Sequence, residues 1–246
     1  MNLQTFPSLD SLDWRAVHTS LNADGFALLG QLLTREECQR LASLYAEEQH
    51  FRSRIVMERY AFGRGEYQYF KYPLPDLVEH LRTALYQHLA PIANGWHAAL
   101  KISQRFAPTH QAFKDICHSA GQLRPTPLLL RYRANDYTCL HQDLYGEQVF
   151  PFQVVILLDE PGQDFQGGEL VLTESDPKKP GRAEVINLRQ GQALVFAVNS
   201  RPVHSARGST GSACGTGSAR CIKASGAPWG LFFTTPSNVI RGGASG

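Results

Sequence analysis

The feature that most constrains the fold of this chain is a series of short apolar segments after Gln122. The segments have five to eight residues, are rich in Val, Leu, Ile and aromatic side chains, and are separated by Gly, Pro, Asn and Asp. Many short strands at such close spacing predict a β-sandwich or a β-barrel. The predicted strands are Pro127–Tyr132, Tyr137–His141, Phe152–Asp159, Glu169–Thr173, Ala183–Leu188 and Ala193–Val198.

The first 122 residues favour helices instead. Thr34 and Glu37 have the spacing of a capping box, so a helix is predicted from there to about Gln49. Pro75 and Asp76 suit a first helical turn, and leucines follow at intervals of four. We therefore expect one compact α+β unit, with a helical layer over residues 1–122 that packs on a β-core over residues 123–207. The remaining predicted elements in this region are helices at Asp10–Asn22 and Thr109–Ala120 and a strand at Gly25–Leu29.

Composition excludes several classes of protein. Hydrophobic residues make up 43% of the 246 residues and charged residues 19%, which is enough apolar material to bury a core and excludes wholesale disorder. A net charge of +2 excludes a protein that coats nucleic acid through overall basicity. No apolar run approaches the roughly 20 residues that span a bilayer, and the N-terminus lacks the pattern of a secretory signal. With five cysteines and no CxxC pair, we expect a cytoplasmic protein with reduced thiols and no membrane partner.

The sequence His141-Gln-Asp143 is the strongest candidate for chemistry. Residues i and i+2 of a strand point to the same side, so the imidazole and the carboxylate can converge on one cation. Two histidines and one carboxylate form the facial triad of non-haem Fe(II) oxygenases, which leaves metal positions open for a co-substrate and O2. The pattern is common by itself, and a histidine at a strand end is often only a hydrogen-bonding residue. On spacing, His204 is the candidate third ligand, because it lies 61 residues after Asp143 and just beyond a predicted strand.

Several separated motifs, in order along the chain, support the interpretation of this pattern as a metal site. The run RYRANDYTCLHQD contains the candidate ligands, and it is accompanied by LRPTPLLLRY, HQDLYGE and FQGGELVLTE. Over residues 10–207 the chain resembles the Fe(II)/2-oxoglutarate-dependent dioxygenase superfamily. Within it, the chain is similar to a bacterial family predicted to oxidise methyl groups on damaged DNA. The resemblance implies a double-stranded β-helix (jelly-roll) core and the use of Fe(II), 2-oxoglutarate and O2.

The same resemblance implies roles for individual residues. His141 and Asp143 are the implied iron ligands, and Tyr132 is implied to contact 2-oxoglutarate through its hydroxyl. The alternative for Tyr132 is an ordinary core aromatic. Arg131 is grouped with Tyr132 as a candidate for cofactor binding, although it could equally contact a phosphate or face solvent. Single-stranded or damaged DNA is the implied partner, and the target base has to be flipped out or single-stranded to reach the metal.

A stretch between residues 51 and 69 interleaves arginines with aromatic residues. Such a pattern can form a cationic, base-stacking surface for nucleic acid. It can equally be a solvated face over a small aromatic cluster. The residues are Arg52, Arg54, Arg59 and Arg64 with Phe51, Tyr60, Phe62, Tyr67 and Tyr69.

The segment from Gly208 to Gly246 does not fit the rest of the chain. It has no acidic residue, holds 9 of the 21 glycines, and supplies three basic residues, so that residues 1–207 carry −1 of the net +2 charge. The resembling family has a segment of the type RVNMRHGVS here, with a metal-binding His and, ten residues later, an Arg that pairs with 2-oxoglutarate. Read one base out of register, the codons allowed here spell GVYRVSMRHGVSPLHQGERRAMGLVFHDA. We therefore interpret residues 208–246 as a frameshifted tail, an interpretation that resequencing around codon 208 tests.

Three functions remain open at this point. The HQD context favours oxidative demethylation of alkylated bases in DNA. The sequence Gly167-Gly-Glu-Leu170 and the mildly acidic body favour a peptide or small-molecule hydroxylase of the same superfamily. The missing RHGVS segment favours a catalytically impaired binding module. A cupin-type metal protein is a remoter option, because cupins usually supply more histidines than this core contains.

Overall fold

The structure is a computed structural model that describes residues 9–142, 149–176, 179–198, 200–205, 208–218, 221–224 and 229–233. For the described residues within 175–180 and 203–233, the structure describes the backbone only. Over these ranges the chain has an α+β architecture, in which helices cover one face of a large antiparallel sheet and a second sheet covers the other face.

The helices begin where the sequence predicts. The capping box is present, since the Thr34 Oγ1 accepts the Glu37 N–H at 3.2 Å and the Glu37 carboxylate accepts the Thr34 N–H at 2.8 Å. That helix ends at Ser43, before the predicted Gln49, because the chain continues in short 3-10 turns that lead into a strand at Phe51. The helices are α1 Trp14–Asp24, α2 Arg35–Ser43, α3 Asp76–Ala99 and α4 His110–Ser119.

Fifteen strands lie in the described ranges, and all the strand pairs are antiparallel. The six predicted strands are each present, within a few residues of their expected ends. The strands are β1 Phe26–Gln31, β2 Phe51–Val56, β3 Gly63–Arg64, β4 Glu66–Phe70, β5 Leu128–Arg131, β6 Tyr137–His141, β7 Phe152–Leu157, β8 Phe165–Gly167, β9 Leu170–Asp176, β10 Lys179–Ile186, β11 Gln192–Ala197, β12 Ser200–Ser205, β13 Gly208–Ser218, β14 Cys221–Ala224 and β15 Trp229–Phe233.

Strands β7 and β11 carry the core on both of their faces. Alternate residues of a strand point to opposite sides of the sheet. Val154 and Ile156 belong to the core beneath the helices, whereas Val155 belongs to a second core against β9 and β10. On the helix side, the Trp96 ring of α3 lies 4.6 Å from the Phe152 ring, measured between centroids. The order of this seven-stranded sheet is β1-β11-β7-β15-β5-β4-β2.

The second sheet positions the candidate metal-binding strand. Its order is β10-β9-β13-β6-β3, and β12 pairs with β13 outside this path. Strand β6, which contains His141, therefore lies between β3 and β13. A separate two-stranded sheet joins β14 to β8.

Four strands lie in the region predicted to be mostly helical, and β1, β2 and β4 extend the seven-stranded sheet. Of these, β1 corresponds to the strand predicted at Gly25–Leu29, whereas β2, β3 and β4 were not predicted, and β4 shows why. Its buried positions are Glu66, Gln68 and Phe70, so two of the three inward residues are polar. The alternation of apolar and polar residues that signals a strand is therefore absent.

The glycine-rich segment after Gly208 contains three strands in the described ranges. Strand β13 pairs with β6, β9 and β12, and β15 lies between β5 and β7 in the centre of the large sheet. These pairings are made by the backbone, whichever reading frame supplies the side chains. Among the described residues, no helix is long and apolar enough to cross a membrane.

Gly63 joins β3 to β6 at a point where no side chain fits. Its φ is +119°, and a Cβ there would lie 2.3 Å from the Tyr137 carbonyl oxygen. Gly30 has a φ of +74°, but a Cβ there would meet nothing within 4 Å. A comparison of substitutions at the two glycines therefore separates the effect of backbone strain from that of the close approach to β6.

We expect Gly63→Ala to lower the free energy of unfolding by about 2–4 kcal/mol, since strain and a backbone clash combine. Gly30→Ala, with strain alone, should cost about 1 kcal/mol. Urea unfolding followed by circular dichroism measures both. Equal losses in the two variants would contradict the close contact between β3 and β6.

Candidate active site

His141 lies at the end of β6, with its ring held by the strand that carries it. The Nδ1 atom is 2.8 Å from the Cys139 carbonyl oxygen. A carbonyl oxygen can only accept, so Nδ1 carries the hydrogen and, in the neutral ring, Nε2 carries the lone pair. This is the arrangement in which a backbone carbonyl orients a metal-binding imidazole. His141 is thus prepared to bind a metal through Nε2.

Strand register determines which other positions are close to His141. In the pairing of β6 with β13, His141 lies directly opposite Thr216. Directly opposite residues of antiparallel strands lie on one face of the sheet, with Cβ atoms about 4.5–5.5 Å apart. Position 216 is therefore the point on β13 from which a side chain can share a ligand with His141.

The structure does not bring His204 to this place. His204 lies on β12, opposite Ser209 of β13. Ser209 and Thr216 are seven residues apart on the same strand, which corresponds to about 23 Å at 3.3 Å per residue. In this register the backbone of position 204 therefore lies far from that of His141.

The remaining proposed iron ligand, Asp143, lies outside the described residues. Among the residues that the structure does describe, no group of three or more His, Cys, Asp or Glu side chains is placed to hold a metal. The fit of a metal therefore depends on His141, whose ring orientation and tautomer suit a ligand.

Tyr132 directly follows β5 and is half-buried. Its ring packs against Gly65, where a Cβ would lie 2.7 Å from the Tyr132 Cδ1. Gly65 also has a φ of +141°, which disfavours other residues. The two glycines of Gly63-Arg-Gly65 are thus used for close packing, the first against β6 and the second against Tyr132.

Arg131 is held by an acidic residue that the sequence reasoning did not single out. Glu66 lies opposite Arg131 across β4 and β5, and its carboxylate accepts hydrogen bonds from Arg131 and from Arg54. The Arg131 guanidinium also lies over the ring of Tyr45, 4.5 Å from its centroid. The structure thus assigns Arg131 an ion pair with Glu66, whereas its part in cofactor binding stays a prediction.

Electrostatics in this cluster favour a charged Glu66 and a neutral Tyr45. Burial opposes ionisation of Glu66, but hydrogen bonds from Arg54 and Arg131, with their positive charges, outweigh it and lower the pKa of Glu66. Burial, followed by the Glu66 charge, raises the pKa of Tyr45 to about 12. The phenol is therefore protonated at neutral pH. Because Tyr132 follows Arg131 in the chain, this cluster fixes the strand end from which Tyr132 projects.

Sequence alone gave little indication of this cluster. Glu66 is an acidic residue in an aromatic stretch, and Tyr45 lies in a predicted helix about twenty residues earlier. The single available signal was that the charged residue Glu66, together with Gln68 and Phe70, recurs at every second position. A period of two marks that position as inward-facing only if β4 is recognised as a strand.

Comparisons with known proteins identify the superfamily and then the family. The fold resembles a prolyl-4-hydroxylase from Pseudomonas putida, with a TM-score of 0.56, 14% identity, and coverage of 92% of this chain and 100% of that one. It also resembles an oxidoreductase of the 2OG-Fe(II) oxygenase family from Burkholderia pseudomallei, with a TM-score of 0.52, 12% identity, and coverage of 93% and 94%. At these identities the similarity is one of fold.

Sequence comparison is more specific. Residues 65–233 match a family model, Oxygenase-NA, described as an oxygenase catalysing oxidative methylation of damaged DNA. The chain belongs to this family and to the 2-oxoglutarate-Fe(II) oxygenase superfamily. It is also 45% identical over 151 residues to the uncharacterized protein Rv2227 of Mycobacterium tuberculosis, a match that spans 60% of this chain and 64% of that protein.

The Glu66 cluster predicts a pH-dependent effect of substitution. At neutral pH, Glu66→Gln should lower the free energy of unfolding by about 2 kcal/mol, because two charge-assisted hydrogen bonds are weakened. The pKa of Glu66 is lowered in the folded protein, so this stabilisation is present above the unfolded-state pKa. It is lost as the pH falls through the folded-state pKa.

Urea unfolding of both proteins from neutral to acidic pH checks this expectation. The difference between the two proteins should shrink on acidification. Glu48→Gln is the matched control, because Glu48 is exposed and should show little effect at any pH. A Glu66→Gln effect that is the same at neutral and acidic pH would contradict the proposed role of the charge.

Proposed function

We propose that this chain represents an Fe(II)/2-oxoglutarate-dependent dioxygenase with a double-stranded β-helix core, which demethylates alkylated bases in DNA. The observation that carries the proposal is the His141 ring, whose Nδ1 is tied to the Cys139 carbonyl so that Nε2 can bind a metal. Membership of the oxygenase family supports the reaction class, and the description of that family supports damaged DNA as the substrate.

The proposed iron ligands are His141, Asp143 and a residue at position 216. In the string GVYRVSMRHGVSPLHQGERRAMGLVFHDA, counted from position 208, the histidine of RHGVS falls at position 216. That position lies opposite His141 in the register of β6 and β13. The codon argument and the strand register do not depend on each other, and both select the same position.

This agreement supports a shifted reading frame after Gly208. In this chain position 216 is Thr, which is a poor substitute for an imidazole as an iron ligand. The two readings share Gly230, Leu231 and Phe233, so strand β15 is compatible with either of them. The arginine proposed to pair with the distal carboxylate of 2-oxoglutarate falls at position 226, outside the described residues.

The proposed chemistry is an oxidation at carbon. Iron held at this site would, with 2-oxoglutarate and O2, supply the insertion of one oxygen atom into a C–H bond of the methyl group, while 2-oxoglutarate would take up the other oxygen atom and be converted to succinate and CO2. The resulting N-hydroxymethyl group breaks its C–N bond to release formaldehyde and the repaired base. In this scheme His141 holds the metal through Nε2, and the Tyr132 hydroxyl orients 2-oxoglutarate. A flipped-out or single-stranded base is needed to reach such a site.

A second candidate function is a binding module with impaired turnover. Thr216 is the specific observation that favours it, because it places a non-ligand opposite His141. A peptide or small-molecule hydroxylase of the same superfamily remains the alternative substrate assignment. We place the protein in the cytoplasm, consistent with reduced thiols at Cys38, Cys117 and Cys139.

Introduction of a histidine at position 216 tests the proposed metal site. We expect Thr216→His to tighten Fe(II) binding by at least about tenfold, since loss of even an outer-shell partner of a metal typically costs 10–100-fold. Thr210→His is the matched control, because it introduces the same residue on the same strand, opposite Val203. Titration with Fe(II) under anaerobic conditions measures both. Equal affinities in the two variants would count against position 216.

Turnover tests the function itself. A chain in which residues 208–236 are replaced by the out-of-register string should release succinate from 2-oxoglutarate and formaldehyde from a methylated oligonucleotide. The original chain should do so weakly or not at all, and His141→Ala in the corrected chain should abolish both products. If the corrected chain folds and binds iron but forms no succinate, the binding-module reading replaces the proposed function.

A further inference from the structure

The arginine-rich aromatic stretch divides into two parts in the structure. Tyr67 and Tyr69 contact each other edge to face, with ring centroids 5.4 Å apart. The Arg52 guanidinium lies 4.2 Å from the Tyr69 centroid and donates to the Pro125 carbonyl. These half-buried residues pack against one another. The part between Met57 and Arg64 does not pack in this way.

Between Met57 and Arg64, two aromatic rings face solvent. Tyr60 is 48% exposed and Phe62 is 37% exposed, and the adjacent Leu140 of β6 is 60% exposed. Isolated exposed apolar residues are normal on protein surfaces. Here Tyr60 and Phe62 are only two residues apart, and the Phe62 carbonyl accepts the Cys139 N–H at 2.8 Å. The two rings therefore form a patch beside β6.

Cationic groups surround this patch. Arg59 and Arg64 are exposed on either side of the two rings, and Arg133 is exposed in the turn between β5 and β6. In the described part of the chain, Arg59 and Arg133 have no ion pair, while Arg64 has a long one of 3.8 Å with the exposed Glu58. Aromatic faces bordered by uncompensated guanidinium groups suit a polyanion that also carries planar rings.

The patch is linked by the backbone to the candidate metal ligand. Phe62 accepts from the Cys139 N–H, and the Cys139 carbonyl accepts from the His141 Nδ1. Phe62, in the turn that leads into β3, is thus two hydrogen bonds from His141, and Arg64 of β3 lies opposite Tyr137, on the face of β6 that carries His141. A strand of nucleic acid held on these rings would run past the end of β6, where the proposed metal lies.

We propose that Arg59, Tyr60, Phe62 and Arg64, which we call the stacking surface, bind single-stranded nucleic acid next to the reactive base. Tyr60 and Phe62 stack with bases that flank the target, and Arg59 and Arg64 bind the phosphates between them. This assignment rests on the proposed function, since it concerns the substrate of the same site. It requires no metal, so binding can be measured on the full chain without iron.

Loss of the rings should weaken binding to bases specifically. We expect the double variant Tyr60→Ala with Phe62→Ala to bind a fluorescein-labelled oligothymidylate about tenfold more weakly or worse, measured by fluorescence anisotropy. Its affinity for an abasic strand of equal length should be unchanged. The matched control, Ile102→Ala with Ile116→Ala, removes side chains of similar exposure, 40% and 44%, and should bind as the unsubstituted protein does.

Loss of the cations should change the dependence on salt. Each lost phosphate contact on a single strand lowers the slope of log affinity against log salt by about 0.7. Arg59→Gln with Arg64→Gln should therefore reduce the slope by about 1.4, with no change in preference for bases over abasic sites. Arg15→Gln with Arg40→Gln removes the same charge from exposed positions on α1 and α2 and should leave the slope unchanged.

Two outcomes overturn the inference. One is an oligothymidylate affinity that is the same with and without Tyr60 and Phe62, provided that circular dichroism shows the variant to be folded. The other is binding of a proline-containing peptide, but not of the oligonucleotide, by the unsubstituted chain. Failure of the proposed function has a different signature, namely no succinate from the corrected chain, and it leaves the oligonucleotide measurements intact.

Discussion

The pairing of β7 with β11 is the interaction on which the rest of the molecule depends. Each of these strands buries both faces, one beneath the helices and the other against the second sheet. Burial on both sides uses every side chain in the pair, at roughly 25 cal/mol for each Å² of apolar surface removed from water. The helical layer and the second sheet can then be added to opposite sides of one pre-organised layer.

From this layer the candidate site follows through strand order. The second sheet packs on β7 and β11 through Leu172 and Ile186, and it places β6 between β3 and β13. Gly63 allows β3 to approach β6 closely, and the pairing with β13 brings position 216 opposite His141. The ring of His141 is oriented by its own strand. The arrangement around His141 is therefore a consequence of sheet register, with one local hydrogen bond added.

Much of the architecture followed from pattern in the sequence. The capping box at Thr34 and the helix starts at Asp76 and His110 are local features, so they were predictable from neighbouring residues. Six of the strands after Gln122, β5, β6, β7, β9, β10 and β11, were predictable from their apolar residues. Strand β4 was not, since Glu66 and Gln68 are buried through long-range partners, and a polar residue carries no signal of burial until its partner is known.

The sequence by itself determined which residues can carry chemistry and where the coherent pattern of this family stops. His141, Asp143 and the unusual segment after Gly208 were all identifiable from residue types and order. Only the tertiary structure decided which positions meet, because strand register is set by packing between segments that are far apart in the sequence. It separated His204 from His141, placed position 216 beside His141, tied Arg131 to Glu66, and exposed Tyr60 and Phe62.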